Sequence, residues 1–275
     1  MIGQNRIKGI IEHLLNDETL PQYINLVGNR GSGRYEVAKW IAERTESNLY
    51  LIENNKADTI KDAIEHMHKA GKLTTYIMLD ADDMSSSAMN ALLKVCEETP
   101  YNVRIIMTFR DSYNVPLTMQ SRALSLVMDV YSKEELAEYL NLELPTVNKS
   151  DALKICDTIG ELESIKDYDT TAFLKYVKTV VDNIATVSGA NAFKIGDKIA
   201  LSANSEKYAL DIFLKAFIKE CEARVFDKID DEFERTMYAK AMMIASKALV
   251  QLNVKGANKQ QVLDMFILDI RKAWM

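Results

Sequence analysis

One stretch constrains the fold more than any other: Gly28-Asn29-Arg30-Gly31-Ser32-Gly33-Arg34-Tyr35. It follows the apolar run Tyr23-Ile24-Asn25-Leu26-Val27 and precedes a segment with Val37, Ala38 and Ile41 at helical spacing. A glycine-rich turn between a strand and a helix aims backbone N–H groups and a helix N-terminus at one point, as a phosphate cradle requires. The glycines Gly28 and Gly33 fit G-x-x-x-x-G-K-[ST], with Gly31 between them. However, Arg34 stands at the lysine and Tyr35 at the Ser/Thr position. A lysine there reaches the β- and γ-phosphates, and the small hydroxyl binds Mg²⁺. A planar guanidinium is not a neutral exchange for a compact ammonium, and a phenol ring holds its hydroxyl away from a metal. The glycines alone equally suit a turn in a generic α/β fold.

Strand and helix signals alternate on either side of this loop. Leu49–Ile52, Tyr76–Asp80 and Val103–Thr108 read as strands, and Tyr35–Glu43, Ile60–Ala70 and Ser86–Glu98 as helices. Within Ile60–Ala70 the spacing puts Ile64, Met67 and His68 on one face. Such βα alternation predicts a parallel sheet covered by helices on both faces. Strand signals stop near residue 131. Ser132 and Glu135 form a capping box that opens a helical segment running to about Tyr168. From Thr171 onward only helices are read. The last has Asn258 as N-cap, with Leu263, Phe266, Ile267, Ile270 and Trp274 on one stripe. The expected division is an α/β phosphate-loop domain at 1–130, a small helical lid at 131–175 and an all-helical domain at 176–275.

A second motif lies about 45 residues past the loop. Asp80 ends an apolar run, where a phosphoryl-transfer site places its Mg²⁺-binding acid. Asp82 and Asp83 read as a solvated acidic turn, because alternate residues leave a strand in different directions.

The third motif is more specific. Asn90-Ala91-Leu92-Leu93-Lys94-Val95-Cys96-Glu97-Glu98-Thr99-Pro100 resembles the N-A-L-L-K-x-L-E-E-P-P segment of bacterial DNA polymerase III clamp-loader subunits, which are AAA+ proteins. Pro116-Leu117-Thr118-Met119-Gln120-Ser121-Arg122-Ala123 resembles their P-x-T-x-x-S-R-C motif, with alanine at the cysteine. Ile2-Gly3-Gln4 resembles their I-G-Q opening. The likeness covers residues 1–130 in motif order and the helical remainder more weakly.

The resemblance implies roles for particular residues. Arg122, preceded by Ser121, corresponds to an arginine offered in trans to the ATP of a neighbouring subunit. A fixed guanidinium there neutralises charge building on the transferring phosphoryl group. A surface arginine paired with a carboxylate is the alternative reading. Ala81 replaces the glutamate that polarises the attacking water in active AAA+ ATPases. Thr108 takes the sensor-1 position, where the other reading is a threonine capping a turn. In Gly160-Glu161-Leu162-Glu163, Glu163 replaces the sensor-2 arginine.

These losses, with Arg122 kept, resemble the δ′ subunit, which does not hydrolyse ATP. The resemblance implies a vestigial nucleotide site (Gly28, Gly31, Gly33, Arg34, Tyr35, Asp80, Thr108), no required cofactor and residual ATP or ADP binding at most. It implies motor (γ/τ) and δ subunits as ring partners, and the sliding clamp and primer–template DNA as partners through the complex. Two alternatives stay open: an active clamp-loader ATPase with an unorthodox loop, and an AAA+ adaptor outside replication. The four-cysteine zinc module carried by many family members is missing.

Composition narrows the remaining classes. A net charge of −6 gives no general basic footprint for nucleic acid. Cys96, Cys156 and Cys221 lie far apart with no C-x-x-C spacing, so reduced core thiols are expected, not a zinc site. The opening MIGQNRIKGIIEHLL lacks an unbroken apolar core, and no apolar run reaches a membrane-spanning length. A cytoplasmic location with no membrane contact is expected.

Overall fold

The computed structural model describes residues 1–52, 54–183, 209–227, 231–252, 254 and 257–274. Contacts divide the chain into two compact units. The first is Met1–Glu135 with Thr158–Gly160, and the second is Leu136–Asp157 with Glu161–Met275.

The first unit is built on five parallel strands: β1 (Tyr23–Val27), β2 (Asn48–Ile52), β3 (Thr74–Met78), β4 (Val103–Phe109) and β5 (Leu124–Val127). Their order in the sheet is β2-β3-β4-β1-β5. β1, β3 and β4 are buried along their whole length, as a sheet covered on both faces requires. The helices are α1 (Asn5–Asn16), α2 (Arg34–Arg44), α3 (Ala57–Lys69), α4 (Ser86–Glu97) and the short α5 (Leu117–Gln120). Two apolar clusters fill the faces. Ile24, Leu26, Ile77 and Ile106 pack with Ile7 and Ile11 of α1 and Val37, Ala38 and Ile41 of α2. Tyr23, Tyr76, Ile105 and Met107 pack with Ile60 and Met67 of α3 and Leu92 and Val95 of α4.

The alternation expected from sequence is present, with four adjustments. β5 is a fifth strand that was not read, because it is a weakly buried edge strand with only Leu126 inside. β3 stops at Met78, so Asp80 lies beyond the strand in the left-handed region at φ 48°. β4 runs one residue past Thr108 to Phe109. The buried face of α3 is Ile60, Ala63 and Met67 with Ile64 beside it, while His68 faces solvent.

The second unit is helical among the described residues: α6 (Lys133–Glu143), α7 (Lys149–Ile155), α8 (Ile159–Ser164), α9 (Thr170–Asn183), α10 (Ala209–Asp227), α11 (Glu232–Leu252) and α12 (Lys259–Trp274). The first residues of α6 and α8 belong to the first unit. Three short helices replace the single segment expected over 132–168. The capping box forms reciprocally: Glu135 N–H donates to Ser132 Oγ at 3.1 Å, and Ser132 N–H donates to Glu135 Oε2 at 2.9 Å. The boundary expected at 175/176 falls inside α9. On α12, Asn258 Oδ1 accepts from Gln260 N–H and Gln261 N–H, and Leu263, Phe266, Ile267 and Ile270 are buried. The side chain of Trp274 lies outside the described residues.

The three cysteines are free and buried, and burial pushes each thiol up to about 12. No group of metal-ligating side chains occurs among the described residues. No described helix is long and apolar enough to cross a membrane.

Candidate functional site

The glycine loop follows β1 and opens α2, as its sequence predicts. Gly31 and Gly33 take positive φ (80° and 84°), a backbone that glycine adopts without strain. Gly28 N–H donates to Phe109 O at 2.9 Å, which ties the loop to the end of β4. The chain's own atoms pack against the outer side of the loop, on its carbonyl oxygens and glycine Cα positions. Gly160 N–H donates to Gly31 O at 3.2 Å. A Cβ on Gly31 would lie 2.5 Å from Thr158 Oγ1, and one on Gly160 would collide with Gly31 Cα. On the other side, the Tyr131 hydroxyl donates to Ser32 O at 3.1 Å and sits where a Cβ on Gly33 would go. Gln4 Nε2 donates to Asp129 O at 2.9 Å, and Gln4 Oε1 accepts from Asp129 N–H, so the opening segment is bound beside the loop.

Arg34 is buried at 8% exposure, and its Nη2 lies 2.8 Å from Asp80 Oδ1. Arg30 Nη2 lies 3.8 Å from the other carboxylate oxygen. The acid that would bind Mg²⁺ is thus already neutralised by the side chain at the lysine position. Asp80 is held in its left-handed conformation by two neighbours. Its N–H donates to Thr108 Oγ1 at 2.9 Å, and Asn55 Nδ2 donates to Asp80 O and Leu79 O, each at 2.8 Å. Thr108 therefore caps the turn carrying the acid. Tyr35 packs into the apolar cluster of α1 and α2, and Ala81 is fully buried.

A magnesium-nucleotide does not fit this arrangement as it fits an ordinary phosphate loop. Two of its contacts are replaced: Arg34 lies on Asp80, and Tyr35 packs against the apolar cluster of α1 and α2 in place of a small metal-binding hydroxyl. Within the loop, the buried side-chain atoms Arg34 Nη1 and Ser32 Oγ have no hydrogen-bond partner among the described residues. A cavity of about 410 Å³ opens beside Asp80, lined from the ends of β2 and β3, by Asn55 and Asp83 among others, and by none of residues 28–35.

Asp82 is not the solvated acid expected from sequence. Its side chain is 5% exposed and accepts from Arg110 N–H at 2.9 Å and Arg110 Nε at 3.3 Å. Asp83 pairs with the same guanidinium at 2.6 Å. These contacts hold the Arg110 cation above its ordinary range against the opposing effect of desolvation. In the second unit, Glu163 Oε1 accepts from the Tyr139 hydroxyl and Oε2 lies 3.8 Å from Lys166, so this acid has local structural partners. Gln4 was legible as part of I-G-Q and Gly160 as the head of the sensor-2-like stretch; Tyr131, Asn55 and Arg110 carried no motif.

Arg122 lies elsewhere in the first unit, just past α5. Its Nη1 donates to Thr118 O at 2.7 Å and Ser121 Oγ at 3.3 Å, its Nη2 lies 2.9 Å from Glu97 Oε1, and its side chain is 39% exposed. The arginine is at the surface and has a carboxylate partner, which is the geometry the alternative reading describes.

Residues 44–132 match the family model described as DNA polymerase III, delta subunit. The chain is 24% identical over 260 residues to the DNA polymerase III subunit gamma/tau of Mycoplasma genitalium, covering 84% of this chain and 42% of that protein. It is 28% identical over 170 residues to the DNA polymerase III subunit gamma of Buchnera aphidicola from Acyrthosiphon pisum, covering 51% of this chain and 47% of that one. The chain thus spans less than half the length of these relatives. A crystal structure of a DNA polymerase III gamma subunit-related protein from Thermotoga maritima superposes with a TM-score of 0.56 at 16% identity, over 96% of this chain and 99% of that one, which shows the shared fold. The motif order on a parallel sheet, the match over residues 44–132 and these relatives together support a likeness to the AAA+ clamp-loader subunits of DNA polymerase III.

Proposed function

We propose that the chain is a non-hydrolysing clamp-loader subunit of the δ′ type, which offers Arg122 in trans to the nucleotide of a neighbouring ATPase subunit. The observation that carries this reading is the 2.8 Å contact between Arg34 and Asp80. In a phosphoryl-transfer site the acid binds Mg²⁺ and the loop cation meets the phosphates. Here the two satisfy each other. Ala81 offers no carboxylate to orient a water, and Tyr35 packs against the apolar cluster of α1 and α2. Arg34 Nη1 and Ser32 Oγ leave chemistry for residual ADP or ATP contact, but none for turnover.

The chain's contribution to the reaction is then electrostatic. Arg122 carries a permanent charge on a short, well-anchored element. Met119 of α5 is fully buried, and Gln120 Nε2 donates to Ser112 O and Val115 O, fixing the loop before it. A guanidinium fixed in advance stabilises developing phosphoryl charge without reorganising during the reaction. In this reading the partners are motor and δ subunits in a cytoplasmic ring. The clamp and primed DNA are met through the complex, in keeping with a net charge of −6. The C-terminal helices form the oligomerisation collar, where Met243 and Val250, one heptad apart on α11, are 73% and 68% exposed.

A second reading has one observation in its favour: the curated relatives are named gamma and tau. In it, the chain is an active motor subunit whose Arg34 holds a phosphate. An ATPase assay on the purified chain, with and without primed DNA, separates the two. The first expects no turnover above background. The second expects rates near the ~1–10³ s⁻¹ typical of enzymes, abolished by Asp80→Asn.

A further inference from the structure

The Arg122 guanidinium is held at three points, two of which lie on its own helical turn. Nη1 donates to Thr118 O and Ser121 Oγ, both within four residues of Arg122. The third comes from a different element. Glu97, the last residue of α4, places Oε1 2.9 Å from Nη2. Among the described residues Nε has no acceptor.

Glu97 has no helix-stabilising reason to be an acid. A carboxylate at a helix C-terminus opposes the macrodipole, and the end of α4 is already capped by Thr99 Oγ1, which donates to Val95 O at 2.8 Å. Both partners are substantially exposed, and a pair of that kind adds little to stability. What the contact does supply is orientation. Without it, the outer half of the guanidinium could swing about the Nη1 contacts.

We propose that Glu97 is the positioning residue for Arg122, holding its plane so that the Nε–Nη2 edge faces the neighbouring subunit's phosphates. This rests on the trans role of Arg122 argued above. The pair is weak enough to yield one donor when a more highly charged phosphate arrives, and it leaves Nε–H available to the same anion, so that a bidentate contact forms.

The test uses the reconstituted clamp loader carrying Glu97→Gln, Glu97→Asp, Arg122→Ala or the double variant Glu97→Gln/Arg122→Ala, with assembly matched. Glu97→Gln keeps shape and removes charge. It is expected to lower kcat of the complex by about two- to fivefold with KM for ATP unchanged. Glu97→Asp should recover part of that loss, and the double variant should be no worse than Arg122→Ala. In the isolated chain, Glu97→Gln should lower the NMR order parameter of the Arg122 Nε–Hε group while leaving the denaturation midpoint in place. Wild-type or raised kcat from Glu97→Gln, alongside a depressed Arg122→Ala complex, would overturn the positioning role alone. A further loss in the double variant, or an unchanged order parameter, would also overturn it. A silent Arg122→Ala would overturn the trans reading and the positioning role with it.

Discussion

Arg34 and Arg122 are the same side chain in the same unit of this molecule, and they are treated in opposite ways. Arg34 is buried, lies on Asp80, and stands in a loop whose Gly31 and Ser32 carbonyls accept from Gly160 and Tyr131. Arg122 is 39% exposed just past a short helix that the core and Gln120 hold in place. A cation whose charge is neutralised inside the fold has little left for a ligand, whereas one fixed at the surface can still act on a partner. On the proposed reading, this contrast puts the chain's contribution at its edge and makes the loop a structural joint.

Breaking the joint should have the largest effect. Asp80→Asn keeps a residue that tolerates the left-handed backbone but leaves the Arg34 charge without its partner. It should cost about 2–3 kcal/mol in a denaturant titration, below the usual range for a buried pair because Asp80 is partly exposed. Adding Arg34→Met should restore most of that loss. A cost under about 1 kcal/mol would mean the pair is solvated and the loop available. Next, Gly160→Ala forces a Cβ against the Gly31 backbone and should cost about 1–2 kcal/mol. Unchanged stability would mean that Thr158–Gly160 does not pack against the loop. The smallest effect belongs to the edge, where Arg122→Ala should move stability by no more than about 0.5 kcal/mol. A larger loss would make Arg122 a structural residue and erase the comparison.

Sequence reading reached these two regions unequally. The glycine loop, its strand and its helix were legible because glycine positions and apolar periodicity are local signals. That Arg34 would fall on Asp80 was not legible, since the two are 46 residues apart and meet only through the β1–β4–β3 order of the sheet. Asp82 was read as solvated for the same reason, because its partner Arg110 arrives from the end of β4. β5 was missed because Leu124-Ser125-Leu126-Val127 is too short and too exposed to stand out. The exposed position of Arg122 followed from its proline-containing loop, but Glu97 beside it required the packing of α4 against α5.

The central claim is that the chain has no catalysis of its own and completes a neighbour's. It is tested most directly by the DNA- and clamp-stimulated ATPase of the reconstituted complex carrying Arg122→Ala in this subunit alone, with assembly verified by size-exclusion chromatography. Arginine fingers contribute about 10³–10⁵ in rate at their own site, so one site should fall silent. Total turnover should then drop by a smaller factor, because other sites keep their own arginines. Arg122→Lys should behave almost like alanine, because one ammonium cannot reproduce the planar fork. Wild-type ATPase from a fully assembled Arg122→Ala complex would contradict the account.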